Sequence, residues 1–150
     1  MTAGLIVLIV LIVLVVAIAV AIAVLWLRRR YLVVTVDGES MTPAYQPGER
    51  VLVQRAAPGS LLAGQVVVLS GRPDSETGVG ARWIIKRVAA LPGDAIPRDT
   101  VPALRTAPGT RVPAGHLVVL GDNPDRSHDS RHTGYLTTDR LRGVVLRKIG

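Results

Sequence analysis

Apolar residues are distributed unevenly along the chain, in one long block near the N-terminus and several short blocks after it. Residues 5–27 form an uninterrupted run of Leu, Ile, Val and Ala that closes with Trp26 and Leu27. A helix over this run would be about 35 Å long at roughly 1.5 Å per residue, enough to cross the hydrocarbon core of a bilayer with some tilt. The pattern predicts a transmembrane anchor in residues 1–31 and a separate domain in residues 32–150.

The anchor is expected to be retained rather than cleaved, and the charges that flank it predict its orientation in the membrane. Ala-x-Ala sequences between residues 17 and 23 are similar to cleavage sites, yet they lie inside an apolar run longer than the roughly 7–15 residues of a signal-peptide core. Residues 28–30 are all Arg, and the N-terminal tail has no basic side chain. The positive-inside rule therefore favours a cytoplasmic location for the second domain.

The second domain shows the pattern of a β protein. Its apolar runs are short, and Gly and Pro mark turns between them. We predict strands at residues 32–36, 50–54, 66–69, 83–91, 116–120 and 141–149. The stretches 71–82 and 95–115 are rich in Gly, Pro, Thr and Arg and predict loops, the second with one short strand at most. The fold class is mainly β, an antiparallel sheet preceded by one transmembrane helix.

Charge and composition narrow the possible partners. All 18 basic and 11 acidic side chains lie beyond Leu27, so the formal net charge of +7 belongs to the rest of the chain. A basic domain beside an anchor is expected to attract anionic lipid head groups of a phospholipid membrane. Nucleic acid is not expected, because Phe is absent, Trp and Tyr are few and the arginines are scattered. The absence of Cys excludes disulfides, thiolate zinc sites and cysteine nucleophiles.

Ser40 is a candidate nucleophile. It lies in the segment 37–43, directly after the apolar run 32–36, between Gly38, which permits a tight turn, and Pro43, which prevents regular continuation. A hydroxyl presented on such a loop can act as a nucleophile. Gly, Ser and Pro between apolar runs are also typical of a surface turn, and this window alone leaves both interpretations open.

Lys86 is a candidate general base. Period-two alternation places it on the same strand face as Ile84 and Val88, where a lysine is unusual. The chain has 16 Arg and only two Lys, so it ordinarily uses Arg where a plain positive charge suffices. Lysine can lose its proton when buried, whereas arginine in effect cannot. The alternative is a lysine whose stem lies along the sheet while its amine reaches solvent.

The polar loop at residues 121–132 allows several interpretations. A calcium-binding EF-hand loop is excluded, because Pro124 and Arg126 occupy positions that should supply ligands. A Ser/His/Asp triad using Ser40 remains an alternative, although the nucleophile-elbow motif is absent because residue 42 is Thr rather than Gly. A transition-metal site is a further alternative, with the candidate ligands Asp125, His128, Asp129 and His132.

Three separated motifs together resemble those of the type I signal peptidases, the serine/lysine family that removes leader peptides from exported proteins. The motifs are Gly-Glu-Ser-Met-Thr-Pro at 38–43, Ile-Lys-Arg-Val at 85–88 with Leu-Pro-Gly-Asp at 91–94, and Gly-Asp-Asn at 121–123 with Ser-His-Asp-Ser-Arg at 127–131. Residues 64–68 are similar to a fourth motif of the family, with Gln65 in place of its usual Asp. The resemblance covers most of residues 36–131 and implies a barrel-like antiparallel sheet.

The resemblance implies a role for each matching residue. Ser40 corresponds to the nucleophile and Lys86 to the general base, whose amine Ser127 would hydrogen-bond and orient. Asp129 and Arg131 correspond to a structural ion pair. No metal and no cofactor is implied.

The oxyanion donor departs from the family pattern. Many members place a serine two residues before the nucleophile, and this chain has Gly38 there. The backbone N–H of Ser40 remains as a donor, with a second backbone N–H or a water as the expected complement.

The resemblance also implies the substrate. An extended precursor segment would pair between the backbone before Ser40 and that around Ile84 and Ile85. Shallow apolar pockets near Val36, Met41 and Ile85 would accept only small side chains, and cleavage after Ala-x-Ala sites is expected.

The expected substrates are exported preproteins or leader-bearing precursors, cleaved outside the cytoplasmic membrane by a single-pass enzyme. This location conflicts with the arginines at 28–30. A leader peptidase dedicated to one precursor remains an alternative, because only about 26 residues separate the second and third motifs. So does a membrane-anchored module that binds leaders without cleaving them. A soluble autopeptidase regulator of the same chemistry would carry a DNA-binding helical domain in place of the anchor, which we do not find.

Overall fold

The structure is a computed structural model that describes residues 2–71 and 83–149. All of the predicted loop at 71–82 except Gly71 lies outside the described residues. Contacts separate the chain into two compact units that divide between Leu32 and Val33.

The first unit contains one long helix, α1, over Thr2–Arg30. The segment Ala3–Arg30 is 28 residues long and contains an 18-residue stretch with a mean hydropathy of 3.8, so the helix is long and apolar enough to cross a membrane. Apolar side chains cover every side of this helix, as expected where lipid surrounds it. Its last turn carries the three arginines, which complement the negative end of the helix dipole. The guanidinium of Arg30 lies 5.2 Å from the ring centroid of Trp26.

The second unit is built on a curled antiparallel half-barrel of seven strands. The strands are β1 (Tyr31–Thr35), β2 (Arg50–Gln54), β3 (Val66–Ser70), β4 (Trp83–Ala90), β5 (His116–Leu120), β6 (Leu136–Thr137) and β7 (Leu141–Ile149). The order across the sheet is β1-β2-β7-β3-β4-β5-β6. The mainly β prediction is confirmed, and most predicted strands begin or end within a residue or two of the observed ones.

Strand β7 lies between β2 and β3 and joins them into one sheet. Its middle pairs on both sides, since Val144 lies opposite both Gln54 and Val67. Gly143 allows this approach, because a Cβ atom there would lie 2.2 Å from the Gln54 carbonyl oxygen. Register shifts between Leu52 and Val53 and between Val68 and Leu69 bend the paired strands, as bulges do.

Apolar side chains pack in two clusters on the two faces of the sheet. Successive side chains of a strand point to opposite faces, so neighbouring residues of β5 belong to different clusters. Val119 belongs to the first cluster and Val118 to the second. Val88 of β4 also belongs to the first cluster, so alternation places Lys86 on that face. The second cluster receives much of its volume from the irregular segment between β4 and β5, through Ile96, Val101, Leu104 and Val112. The predicted loop at 95–115 therefore covers one face of the sheet, and its only described pairing is a single bridge between Ala95 and Arg111.

A four-residue helix, α2 (Ser130–Thr133), follows β5 inside the segment that the sequence predicts as a polar loop. Asp129 caps it by accepting a hydrogen bond from the Arg131 N–H. Ser130 is fully buried, and its hydroxyl accepts a hydrogen bond from Val119 N at 3.0 Å. The end of the polar loop is thus attached to β5.

Candidate active site

Lys86 lies inside the protein, opposite Val67 of β3 and only 5% exposed. Its Nζ donates a hydrogen bond to Ser127 Oγ at 2.9 Å. Burial lowers the pKa of Lys86, and the nearby charge of Arg131 lowers this pKa further, while that of Asp129 raises it. An apolar strand face therefore holds an amine that gives up its proton more readily than an exposed lysine does.

Asp129 sets the direction of the hydrogen bonds around this amine. The Ser127 hydroxyl lies 2.6 Å from Asp129 Oδ2, and a carboxylate can only accept, so Ser127 donates its proton to Asp129. The Ser127 oxygen is then an acceptor for Lys86. An N–H of Lys86 points at Ser127, which leaves the lone pair of the neutral amine free to face another group.

The Asp129 carboxylate is fully buried and multiply bonded. It accepts hydrogen bonds from Gly121 N at 2.7 Å, Arg131 N at 3.0 Å and the Arg131 guanidinium at 2.8 Å. Burial alone would raise the pKa of Asp129, but these hydrogen bonds, that of Ser127 and the charge of Arg131 together lower the pKa. Asp129 is therefore ionised at neutral pH, and the charges of Asp129 and Arg131 balance each other.

Ser40 lies on a turn after β1 that is fastened to the segment following β5. Asn123 N donates to the Ser40 carbonyl oxygen at 3.1 Å, and Asn123 Nδ2 donates to Thr42 Oγ1 at 2.8 Å. Thr42 in turn donates from both its N–H and its hydroxyl to Glu39 O. The next residue, Met41, is 1% exposed and anchors the turn in the interior. The nucleophile candidate therefore stands on a pinned turn.

Gly121 lies between the two halves of the site. A Cβ atom built on it would lie 2.2 Å from Ser127 Oγ and 2.5 Å from the Ser40 carbonyl oxygen. Real Cβ contacts are not this short, so only glycine lets the Ser40 turn and the Ser127 side chain pack against the same backbone atom.

Arg87 and Asp122 form a second connection that the sequence analysis did not assign. Arg87 Nε and one terminal nitrogen donate to the two carboxylate oxygens of Asp122 at 2.8 and 2.6 Å, and the other terminal nitrogen donates to Gly64 O at 2.9 Å. This fork ties the residue after Lys86 to the residue after Gly121. Arg87 directly follows Lys86, and Asp122 directly follows Gly121. These two opposite charges were the only sign of the ion pair in the sequence.

A cleft of about 220 Å³ brings the candidate nucleophile and base together. Its lining residues are Asp37, Gly38, Ser40, Trp83, Ile84, Ile85 and Lys86. The cleft has the segment before Ser40 on one wall and the start of β4 on the other, which are the two segments expected to pair with a substrate. Asp37 and Trp83 were not anticipated from the sequence.

Two predicted pocket residues are not at the cleft surface. Val36 and Met41 are 3% and 1% exposed and are not among the residues that line the cleft, whereas Ile84 and Ile85 are. Gly38 has a φ of +80°, and a Cβ atom there would meet no heavy atom within 4 Å. This position therefore leaves open space at the cleft, in a backbone conformation that suits glycine.

The histidines of the polar loop lie side by side at the surface. The rings of His128 and His132 stack with centroids 4.9 Å apart. Across residues 2–71 and 83–149 no group of three or more His, Asp or Glu side chains is placed to hold a metal ion. The hydrogen bonds of Asp129 described above go to Ser127, Gly121 and Arg131 rather than to a histidine.

Comparison with known proteins adds independent information. The profile of the family described as "Signal peptidase, peptidase S26" matches residues 5–102 and 97–148. The mitochondrial ATP-independent inner membrane protease subunit 1a of Arabidopsis thaliana is 30% identical over 126 residues, covering 80% of this chain and 72% of the relative. The mitochondrial inner membrane protease subunit 1 of Mus musculus is 31% identical over 119 residues, covering 78% and 68%. Signal peptidase IB of Staphylococcus aureus is 29% identical over 160 residues, covering 81% and 80%.

These matches confirm the resemblance seen in the three motifs. Together with α1, the membrane-associated relatives indicate that the chain is anchored to a membrane. The chain belongs to the signal peptidase family, peptidases S26, and is a hydrolase that acts on peptide bonds.

Proposed function

We propose that this protein is a membrane-bound serine endopeptidase that uses Ser40 and Lys86 to remove N-terminal leader peptides after Ala-x-Ala-like sites. The observation that carries the proposal is the buried amine of Lys86, held by Ser127 in the cleft that Ser40 also lines. A lysine with a lowered pKa beside a hydroxyl is the arrangement that general-base activation of serine requires.

The first half of the reaction forms an acyl-enzyme. Neutral Lys86 takes the proton of Ser40 as its Oγ attacks the scissile carbonyl carbon, and the carbonyl oxygen becomes an oxyanion. The Ser40 N–H stabilises the oxyanion, and the open space at Gly38 admits a water as a second donor. The protonated amine then gives its proton to the leaving nitrogen, the peptide bond breaks and the mature chain departs.

The second half releases the leader. Lys86 removes a proton from water, the hydroxide attacks the ester of Ser40, and collapse of the intermediate returns the proton to Ser40 Oγ. The leader departs with a new carboxylate. The Asp129–Arg131 pair keeps Ser127 oriented in both halves, so the amine presents its lone pair to the same position each time.

We place the second unit on the outer side of the cytoplasmic membrane, with α1 as a single-pass anchor. Exported precursors present their leader junction there, and the arginines at 28–30 would then contact lipid phosphates of the outer leaflet. The substrate is either the general set of exported preproteins or one dedicated precursor. A survey of the precursors that accumulate when the gene is silenced separates these two: many precursors indicate a general enzyme, one a dedicated enzyme.

Site-directed variants of the full-length protein test the dyad on an Ala-x-Ala peptide. Ser40→Ala and Lys86→Arg each should abolish cleavage, because one removes the nucleophile and the other replaces a base that can be neutral by one that cannot. Matched controls are Ser60→Ala, on an exposed turn, and Lys148→Arg, at the exposed ion pair with Glu49, which should retain full activity.

Substantial turnover in either dyad variant would refute the mechanism. A wild-type protein that binds the peptide and never cleaves it would instead support the leader-binding module.

A further inference from the structure

A second and larger cavity adjoins the cleft at Lys86. It has a volume of about 610 Å³, within the range of ligand sites, and shares Ile84 and Lys86 with the cleft. Its remaining walls include His128, Thr133, Tyr135 and Arg140, none of which borders the cleft. The two spaces therefore meet at the candidate base.

The polar groups of the cavity wall are mostly donors. Asp129 also borders the cavity, but its charge is balanced by Arg131. Arg140 is held in the wall because its Nε donates to Ser70 O at 2.8 Å. Its neighbour Asp139 borders only an adjoining outer depression and is exposed. Within the described cavity wall the only carboxylate is thus that of Asp129, which is paired with Arg131, whereas Asp139, whose charge interacts with that of Arg140, lies outside the cavity.

Tyr135 provides the second observation. Its hydroxyl oxygen is buried and, among the residues that the structure describes, has no hydrogen-bond partner. The ring lies edge-on to His116, with centroids 5.7 Å apart. A buried hydroxyl without a partner is costly unless something binds it, and this one belongs to a residue that lines the cavity.

We propose that the cavity receives the first residues of the mature chain, after the scissile bond, and prefers side chains that accept hydrogen bonds, carboxylates above all. This inference rests on the proposed peptidase function. The leader occupies the cleft between the segment before Ser40 and the start of β4, so the other half of the substrate continues past Lys86 into the cavity. There Tyr135 donates to the incoming side chain, and Arg140 attracts a negative charge.

The test uses the full-length protein in detergent and peptides that share one leader ending in Ala-x-Ala. Only the two residues after the scissile bond vary: Asp or Glu, Gln, Leu, or Lys. We expect kcat/KM to be about tenfold higher for the acidic peptides than for the Lys peptides. In Arg140→Ala this ratio should fall to about twofold or less.

A second variant isolates the hydroxyl. Tyr135→Phe removes a group that has no partner within the described protein, so the melting temperature should stay the same or rise, while the preference for Gln over Leu disappears. Arg142→Ala is the matched control, because Arg142 also bonds to Ser70 but does not line the cavity, and it should keep the wild-type preferences.

Three outcomes would overturn the inference. Efficient cleavage with no dependence on the residues after the scissile bond would overturn it and leave the peptidase function standing. So would an Arg140→Ala variant that keeps the wild-type ratio of kcat/KM between the acidic and the Lys peptides. Failure of the wild type to cleave any peptide would refute the peptidase function and this inference with it.

Discussion

At the scale of single residues, the important feature is the direction of the hydrogen bonds among three polar side chains. Asp129 accepts from Ser127, and Ser127 accepts from Lys86. The serine therefore cannot act as a competing donor to the amine. A lysine that pointed freely into the same cleft would spend much of its time in other rotamers, and its lone pair would rarely face Ser40.

The pH dependence of cleavage tests this relation. Since only neutral Lys86 can accept a proton, kcat/KM should rise with pH through a limb below the ordinary lysine pKa of about 10.4. The charge of Asp129 raises the pKa of Lys86, so Asp129→Asn should move the limb to lower pH and reduce the plateau by about 10- to 100-fold through lost orientation.

The control for this measurement is Glu49→Gln, which removes the carboxylate that pairs with the other lysine, Lys148. Its limb should match that of the wild type. A limb at the ordinary lysine value, or one that moves to higher pH in Asp129→Asn, would contradict the assignment of Lys86 as the base.

At the scale of elements, the site is assembled where the turn after β1, strand β4 and the segment after β5 meet. Lys86 comes from a strand, Ser40 from a turn and Ser127 from a loop, and Gly121 is the point at which their backbones approach one another. Small changes at this junction should therefore affect catalysis more than changes of equal size elsewhere.

Gly121→Ala tests the junction. The added methyl group would overlap both the Ser127 side chain and the Ser40 carbonyl oxygen, so the packing of these groups against Gly121 must change. We expect a loss of about 1–3 kcal/mol in the free energy of unfolding and at least a 100-fold loss of kcat/KM, measured by denaturant titration and peptide cleavage. Gly59→Ala is the control, since a Cβ atom at Gly59 meets nothing within 4 Å. Equal activity of the two variants would show that the close packing at Gly121 is not needed.

Local patterns predicted the strands well because each signal lies within one strand and its flanking turns. The run at 50–54 is an example: Gly48, with a φ of +87°, makes the turn before it, and Val51 and Val53 are both buried on one face. The insertion of β7 between β2 and β3 was not predictable, because nothing in the sequence of β7 identifies its neighbours. Gly143 hints at a close approach but not at its partner, Gln54.

The same distinction applies to the candidate site. The motifs indicated Ser40, Lys86 and Ser127, because each lies in a short recognisable context. The pairing of Arg87 with Asp122 was missed although both residues lie in motifs, because a motif does not show which distant residue a side chain contacts. The predicted pocket role of Val36 and Met41 stays a prediction: both are buried, and neither is among the residues that line the cleft.

At the scale of the whole molecule, the open issue is the side of the membrane on which the second unit works. The arginines that end α1 favour the cytoplasmic side by charge, whereas the proposed substrates present their cleavage sites on the outer side. The charge argument depends on only three arginines at one end of α1. Because it conflicts with the argument from the substrates, the side of the membrane has to be measured directly.

Protease accessibility provides that measurement. In intact cells whose outer layers have been removed enzymatically, added protease should digest the second unit without permeabilisation. A tag fused before Thr2 should be digested only after the membrane is opened, which controls for leakage. Complete protection of the second unit would contradict an extracytoplasmic site.

The scarcity of lysine has a consequence for chemical labelling. Lys86 and Lys148 are the only side-chain amines in the chain. Lys148 donates to Glu49 at the surface, while the buried Lys86 has a lowered pKa. A small amine-reactive reagent that enters the cleft will therefore meet, at Lys86, an amine that gives up its proton more readily than an exposed lysine does. Covalent inhibitors that carry an aldehyde or an activated ester could be directed at the base as well as at the serine, and a single mass shift on the peptide containing residue 86 would report their binding.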